Sequence, residues 1–315
     1  MEFFWVLRRW FITFLLRVAF SWGNRNHSAR IIQFLGFLLP FNRRWVREDT
    51  DHGTWIAEDI AGSKKEAISD RLEESNVVIM WVSGGGFRFD MTLLYIRVWI
   101  TWIRALEADK NMRCVIFVPK YKTGHPFPAA VNGVKAAYDW LVNTMHIPTS
   151  KLIIGGDDAG AAVALDLMHL HKPKFAGAIF ASPYTGLEAG GESWRANMDI
   201  DFMTAAAVDR MEESYIPEEG DQPFRYLPDQ VDLATSLPRH MLITVGGNEV
   251  LLDEAGYLAS RARAGGVAVT LCQAPDQTHL WSMLPDVLVQ DVNVRQNAVD
   301  HFVRFVELCV RPGKH

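Results

Sequence analysis

A short apolar strand that runs directly into a glycine-flanked carboxylate constrains the fold of this chain more than any other feature. Residues Leu152 to Ile154 are apolar, and the pattern Gly156-x-Asp158-x-Gly160 follows at once. Glycines on both sides of one residue allow a sharp strand-to-helix turn that projects the central side chain from the end of a sheet. A serine at the centre would indicate an esterase, whereas an aspartate cannot perform the usual acyl transfer in the same way. Residue 158 therefore decides most of what the sequence predicts about chemistry.

Composition fits one large α/β domain and argues against several kinds of site. The 315 residues are 49% apolar, which is enough for a sizeable core, and a net charge of −5 does not favour nucleic acid as a partner. Cys114, Cys272 and Cys309 are widely spaced in apolar runs, which favours buried thiols over a disulfide or a metal set. The glycine run Ser83 to Gly86 lacks the lysine of a phosphate-binding loop. We therefore expect no metal, no organic cofactor and a small-molecule substrate, and leave the oligomeric state open.

The first 22 residues are rich in aromatic and aliphatic side chains. Arg8, Arg9 and Arg17 interrupt them, so no apolar run approaches the ~20 residues that a membrane span requires. The charge order and cleavage site of a secretory signal are not evident. The segment is predicted to be a cap helix over an active site or an interfacial helix that contacts a membrane peripherally, and the two roles are compatible. A cytoplasmic protein, with or without such peripheral contact, is the expectation.

Strands and helices alternate along the rest of the chain. Predicted strands cover Asn76–Val82, Cys114–Val118, Leu152–Ile154, Ala176–Ala181, Met241–Val245 and Val267–Cys272. Predicted helices cover Met91–Glu107, Pro128–Met145, Ala159–His171, Asp253–Ala264 and Val292–Cys309. Such alternation predicts right-handed βαβ units, and hence an α/β fold with a mostly parallel central sheet flanked by helices.

The domain organisation follows from the same alternation. Regularity lapses from about Tyr184 to Leu237, in a charged, proline-containing stretch. We predict N-terminal cap or interfacial helices over residues 1–50 and one main domain over residues 51–315. A cap insertion at about 185–237 interrupts that domain.

Three further features follow predicted strands in an order that chance explains poorly. A glycine cluster, Gly84 to Gly86, follows the first strong strand, and the elbow aspartate follows the third. Glu249 and His279 then follow two later strands. Nucleophile, acid and histidine in this chain order, each in a loop at the carboxyl end of a strand, indicate a catalytic triad.

From about Val77 to His279, these motifs resemble those of the hormone-sensitive-lipase-like branch of the α/β-hydrolases. The HGGG motif of that branch appears here as Ser83 to Gly86, with serine in place of histidine, and its GDSAGG elbow as Gly156 to Ala161. Its HPFPAA segment appears unchanged from His125.

The resemblance implies an α/β-hydrolase fold with a helical cap, and it implies roles for particular residues. Glu249 and His279 match the acid and the base of the triad. Gly84, Gly85 and Ala159 would supply the backbone N–H groups of an oxyanion hole. The aromatic N-terminus is also similar to that of fungal hydrolase-like proteins of polyketide and terpenoid pathways, which suggests a bulky apolar secondary metabolite as the substrate.

A carboxylate at the elbow resembles the arrangement of epoxide hydrolases and haloalkane dehalogenases. In those enzymes the aspartate attacks an sp³ carbon and forms an ester, which a histidine-activated water then hydrolyses. Oxyanion donors here would stabilise the intermediate of that hydrolysis by about 3 kcal/mol each. The sequence therefore predicts that Asp158, with His279 and Glu249, opens an epoxide by hydrolysis or by intramolecular cyclisation.

Epoxide opening also requires a proton donor for the leaving oxygen. Cap tyrosines serve in the epoxide-hydrolase branch, and Tyr184 is the candidate here, with Tyr215, Tyr226 and Tyr257 as alternatives. Halide release would instead favour donors such as Trp81 or Trp281, which also remain open.

Two other functions remain open at this stage. The chain could be a non-catalytic ligand-binding protein on a degenerate esterase scaffold. Alternatively, Asp158 and His279 could relay a proton in a cyclisation or isomerisation without a covalent intermediate. Arg88 and Asp90, just after the glycines, are expected to form a surface salt bridge rather than to contact a substrate.

Overall fold

A single eight-stranded sheet organises the part of the chain that the computed structural model describes, which is residues 2–62, 64–186, 191–223 and 233–311. The strands are β1 (Val46–Asp49), β2 (Gly53–Ile56), β3 (Val77–Val82), β4 (Cys114–Pro119), β5 (Leu152–Asp157), β6 (Gly177–Ala181), β7 (His240–Gly246) and β8 (Ala268–Ala274). Their order in the sheet is β1-β2-β4-β3-β5-β6-β7-β8. The pairs β1–β2 and β2–β4 are antiparallel, and all the other pairs are parallel. The predicted mostly parallel sheet is thereby confirmed.

Helices cover both sides of this sheet. They are α1 (Glu2–Ser21), α2 (Arg25–Leu38), α3 (Lys65–Glu74), α4 (Thr92–Lys110), α5 (Ala129–Asp139), α6 (Asp158–His171), α7 (Glu192–Asn197), α8 (Ala205–Tyr215), α9 (Leu252–Ala264), α10 (Pro285–Leu288) and α11 (Val292–Val310). Helices α5 and α6 pack together, as do α4 and α11. The predicted α/β class is confirmed.

Several boundaries differ from those predicted. The hairpin β1–β2 was not predicted, and because β1 belongs to the sheet, the N-terminal helical part ends at Leu38 rather than near residue 50. The helix predicted over Pro128–Met145 is regular only to Asp139, and a wider π-type turn covers Trp140–Thr144. The stretch predicted as an irregular cap contains α7 and α8.

The core explains why the elbow can form. Every residue of β3 and β5 is buried, as expected for parallel strands covered on both faces. Helix α6 is buried at every position from Asp158 to Met168, so it must approach the sheet closely. A side chain at Gly160 would clash with the carbonyl oxygen of Val82. This close contact fixes the start of α6 directly against the end of β3.

Helix α1 lies over the region next to the elbow. Its buried side chains include Ile12, Leu16, Ala19 and Phe20, and it packs against α2 and α8. No helix among the described residues is both long enough and apolar enough to cross a membrane.

Arg88 joins the end of α1 to the segment after the glycine cluster, and the predicted surface salt bridge with Asp90 is wrong. The Arg88 side chain is buried and donates hydrogen bonds to the carbonyl oxygens of Phe20 (3.0 Å), Trp22 (2.6 Å) and Gly23 (3.1 Å). Asp90 instead accepts from the backbone N–H of Thr92 at 2.9 Å, at the start of α4. The partners of Arg88 lie more than 60 positions away in the chain, so local sequence could not indicate them.

Candidate active site

Asp158 occupies the turn between β5 and α6. Strand β5 ends at Asp157, and Asp158 begins the helix with a backbone φ of 46°. A non-glycine residue in this left-handed region costs on the order of 1–3 kcal/mol and is typical of functional turns. The side chain of Asp158 is fully buried. The elbow predicted from the sequence is therefore present, with a strained backbone at its centre.

One oxygen of Asp158 lies in a nest of backbone donors. Its Oδ2 accepts from the N–H of Gly86 at 2.8 Å and of Gly85 at 3.3 Å. Burial raises the pKa of Asp158, while the charge of His279 and the N–H groups of Gly86, Ala159 and Gly85 oppose that rise. Of the predicted oxyanion donors, Gly85 and Ala159 lie at this carboxylate. The N–H of Gly84 points elsewhere, and Gly86 takes its place.

Asp157 holds the glycine loop in position, which the sequence did not indicate. Its Oδ1 accepts from the indole N–H of Trp81 (2.8 Å) and the backbone N–H of Gly84 (3.0 Å), and its Oδ2 accepts from the Tyr95 hydroxyl (2.6 Å). Burial raises the pKa of Asp157 to about 7, although the bonds from Tyr95 and Trp81 favour its ionised form. The Trp81 N–H is thus committed to Asp157.

His279 bridges Glu249 and the elbow. Its Nδ1 lies 2.9 Å from Oε1 of Glu249, whose Oε2 accepts from the Ser182 hydroxyl (2.9 Å) and the Gly246 N–H (2.7 Å). Its Nε2 lies 3.8 Å from Oδ1 of Asp158, which is too long for a hydrogen bond. Neither of these two facing atoms has a hydrogen-bond partner among the described residues. The structure thus brings together all three predicted catalytic side chains.

The surroundings of His279 favour its charged form. Burial alone would lower its pKa, but the hydrogen bond and charge of Glu249, with the charges of Asp158 and Asp201, raise it to about 9. At neutral pH the ring is therefore an imidazolium, and both nitrogens carry protons. Because this folded-state pKa exceeds the 6.5 of a free histidine, the group contributes stability that is complete below about pH 6.5 and is lost as the pH rises through about 9.

Asp201, from the cap insertion, joins the cap to the two loops that carry Glu249 and His279. Its Oδ1 accepts from the backbone N–H of Phe202 (2.7 Å) and of His279 (3.2 Å), and its Oδ2 accepts from that of Val250 (2.9 Å). Burial raises its pKa to about 6. Nothing local in the sequence distinguishes this aspartate from its neighbours, since its partners lie some 50 and 78 positions away.

Aromatic side chains cover the Asp158–His279 pair. The Phe202 ring packs edge-on against the His279 imidazole with ring centres 5.2 Å apart. Phe20 of α1 contacts Phe202 at 5.7 Å and Phe89 at 5.2 Å. Both Asp158 and His279 have no solvent exposure. The environment is therefore apolar above the two charged groups.

Tyr184 lies beside the elbow, but its hydroxyl is bonded elsewhere. Its backbone N–H donates to the carbonyl oxygen of Asp158 at 3.2 Å, and its hydroxyl donates to Glu212 at 3.2 Å. The Tyr215 hydroxyl donates to Asp166 at 2.6 Å. Both tyrosines line a cavity of about 20 Å³, which can hold about one water molecule.

The remaining predicted donors are not brought to the elbow by any contact described. Tyr257 lies on α9, and Trp281 is buried with no hydrogen-bond partner for its indole N–H among the described residues. Tyr226 falls outside the described residues. Within those same ranges, no group of three or more His, Cys, Asp or Glu side chains is placed to hold a metal ion.

Comparison with known proteins agrees with this architecture. The model of the α/β hydrolase fold family matches residues 79–283. An acetyl-hydrolase of Streptomyces hygroscopicus is 34% identical over 170 residues, which are 52% of this chain and 55% of that protein. The chain thus matches about half the length of this curated relative.

Solved structures show the same fold over nearly the whole chain. The hormone-sensitive-lipase homologue EstE7 from a metagenome library is 25% identical with a TM-score of 0.71, covering 96% of this chain and 98% of that one. An esterase from the bacterial hormone-sensitive lipase family is 21% identical, also with a TM-score of 0.71 and coverage of 96% and 98%. Since the family model spans well over half of its residues, the chain belongs to the α/β-hydrolase fold family.

Proposed function

We propose that the protein is a hydrolase in which Asp158 attacks an sp³ carbon of an apolar epoxide. The observation that carries the proposal is that the two oxygens of this carboxylate have different surroundings. Oδ2 is held by backbone N–H groups, whereas Oδ1 accepts no hydrogen bond from any described residue and faces Nε2 of His279 at 3.8 Å. The oxygen that no N–H donor holds is free to attack carbon, and the held oxygen becomes the ester carbonyl.

Ring opening uses two groups that already face each other, the Asp158 carboxylate as nucleophile and the His279 imidazolium as proton donor. Oδ1 of Asp158 forms a bond to carbon as the ring C–O bond breaks, and the resulting alkoxide takes the proton from Nε2 of His279. A negative carboxylate and a positive imidazolium become a neutral ester and a neutral imidazole. In this scheme His279, protonated at neutral pH because its pKa is about 9, supplies the proton for which Tyr184 was predicted.

Hydrolysis then uses the neutral imidazole as a base. His279 removes a proton from water, whose oxygen attacks the Asp158 carbonyl carbon. The charge that develops on Oδ2 is stabilised by Gly85, Gly86 and Ala159, at about 3 kcal/mol per donor. The product alkoxide leaves with a proton from His279, and the proton left on Asp158 returns to the imidazole, which restores the starting ion pair.

A single turnover in ¹⁸O-water tests the covalent step. With excess protein and a panel of styrene oxide, trans-stilbene oxide and squalene oxide, we expect ¹⁸O in the carboxylate of Asp158 and none in the first-turnover diol. Mass spectrometry of the peptide that contains Asp158 measures the label. Asp158→Asn is the matched control, and it should lose turnover by about 10³-fold or more. Label in the diol alone would mean that water attacks the substrate directly, and would contradict a nucleophilic Asp158.

Titration of His279 tests the switch from acid to base. Nitrogen-15 NMR of the wild-type imidazole should give a midpoint near pH 9. In Asp158→Asn, which has lost its charge as the ester would, the midpoint should be lower. Asp139→Asn, at a partly exposed aspartate on α5, should leave it unchanged. An equal midpoint in wild type and Asp158→Asn would remove the physical basis for the second step.

Two other functions make different predictions in these experiments. A proton relay in a cyclase or isomerase gives turnover without label in Asp158. A non-catalytic binding protein is favoured by one observation, which is the complete burial of Asp158 and His279 under aromatic rings. Such a protein would bind the epoxides, raise its melting temperature and form no diol. The ester hydrolysis that the names of its relatives indicate requires a mixed anhydride at Asp158, which makes it the weaker candidate.

A further inference from the structure

Charge is strongly segregated along this chain. Residues 1–47, which contain α1 and α2, carry eight arginines, no lysine and a single acid, Glu2, for a net charge of +7. The other 268 residues carry 24 basic and 36 acidic side chains, for a net charge of −12. Five of the eight arginines lie on α1 and α2 themselves, against the single acid Glu2, so the two helices are a basic layer on an acidic protein.

The same two helices expose most of the large apolar side chains that face solvent. On α1, positions 7, 10, 11 and 14 follow the i, i+3, i+4, i+7 spacing of one helix face, separate from the buried positions 12, 16, 19 and 20. We call the following eight residues the outer face: Val6 (56% exposed), Leu7 (51%), Trp10 (62%), Phe11 (41%), Phe14 (49%), Phe34 (49%), Phe37 (83%) and Leu38 (38%).

An outer face of this kind is not explained by the fold. Helix α1 already packs against α2 and α8 through its buried side, and yet Trp10, Phe11 and Phe14 remain 41–62% exposed. Trp10 and Phe14 stack on each other at 5.7 Å in an exposed position. Exposed apolar side chains concentrated on two helices that pack together, as α1 and α2 do, usually mark a site of interaction.

We propose that the outer face docks on a lipid bilayer that contains anionic phospholipids. Tryptophan and phenylalanine partition into the headgroup region, and nearby arginines are attracted to anionic lipids. Arg8 and Arg30 are exposed on α1 and α2, and neither has an ion-pair partner among the described residues. A second copy of the chain would place one basic layer against another, so charge complementarity selects the membrane.

The geometry points to a helix lying on the surface and not across it. Three arginines divide α1, and no described helix meets the requirement for a span. The guanidinium of Arg17 is held by the carbonyl oxygen of Met198 at 3.3 Å, which keeps this side of α1 attached to the cap. The docked protein therefore keeps α1 folded against its own body while the outer face enters the headgroup region.

Vesicle flotation with the full chain tests this docking. Wild type should float with phosphatidylcholine vesicles containing about one-third phosphatidylserine, and bind less to phosphatidylcholine alone or at high salt. Arg8→Gln/Arg30→Gln should weaken binding to the anionic vesicles by about fivefold per arginine. Trp10→Ser/Phe14→Ser/Phe37→Ser should lose binding to both kinds of vesicle.

The matched control is Leu170→Ser/Val292→Ser, which removes apolar side chains that are 48% and 67% exposed elsewhere on the protein and should bind as wild type does. Circular dichroism verifies folding of each variant. Wild type that stays with neither vesicle, or a triple variant that floats as well as wild type, overturns the proposal. So does a dimer in sedimentation velocity that the triple variant abolishes without any vesicle binding. None of these results depends on epoxide turnover.

Discussion

Replacing Asp158 with serine should create an esterase that hydrolyses p-nitrophenyl acetate at least about 10³-fold faster than Asp158→Ala. The serine hydroxyl would project from the same strained turn and face Nε2 of His279. Removal of the carboxylate frees the N–H groups of Gly85 and Gly86 for the substrate carbonyl oxygen.

The serine variant also changes the histidine in the required direction. The charge of Asp158 is one of the causes that raise the pKa of His279, so its loss lowers that pKa and makes the imidazole a better base at neutral pH. Glu249 still orients the ring through Nδ1. Spectrophotometric assays of Asp158→Ser, Asp158→Ala and Asp158→Ser/His279→Gln measure the effect. Equal rates in all three would mean that the residues around position 158 are not arranged for acyl transfer.

Asp157→Ala should lower the free energy of unfolding by about 3–9 kcal/mol, since it leaves three buried donors without an acceptor at about 1–3 kcal/mol each. Those donors are the Trp81 indole, the Tyr95 hydroxyl and the Gly84 N–H. Asp157→Asn, which keeps the shape and one acceptor oxygen, should lose less.

Urea unfolding at neutral pH measures this difference. The control is Asp139→Ala, the same change at a partly exposed carboxylate that pairs with Lys135 along one helix, and it should cost no more than about 0.5 kcal/mol. A loss below about 1 kcal/mol for Asp157→Ala would show that the three donors find other partners. In that case the glycine loop would not depend on Asp157 for its position.

The parallel part of the sheet was predictable because each of its strands is recognisable from a short stretch of sequence. Strands such as β3 and β5 are buried on both faces, so their sequences are continuous apolar runs that stand out from the helices between them. The hairpin β1–β2 does not stand out, since β1 is Val-Arg-Glu-Asp at the edge of the sheet. Helices α7 and α8 are short, at 6 and 11 residues, and their amphipathic patterns do not stand out among the charged residues around them.

The sequence predicted the residues of the candidate site that directly follow a predicted strand. Asp158, Glu249 and His279 each follow a strand, and a parallel sheet brings the carboxyl ends of its strands to one edge. The exchange of Gly84 for Gly86 depends on how Asp157 turns the glycine loop, which no pattern of glycines reveals. Asp201 and Arg88 act on residues far away in the chain, so their roles emerge only after folding.

Arg88 links the end of α1, which covers the site, to the glycine segment that binds Asp158. Arg88 lies two residues after Gly86, whose N–H binds Oδ2 of Asp158. Its guanidinium donates to three carbonyl oxygens at the end of α1, where Phe20 contacts the Phe202 ring that packs on His279. Charge-assisted hydrogen bonds of this kind are about twice as strong as neutral ones. If α1 shifts to admit a substrate, it must either break all three bonds or pull the anion-binding loop with it. Movement of α1 to admit a ligand is consequently coupled to the hydrogen bonds that the glycine segment makes to the carboxylate of Asp158.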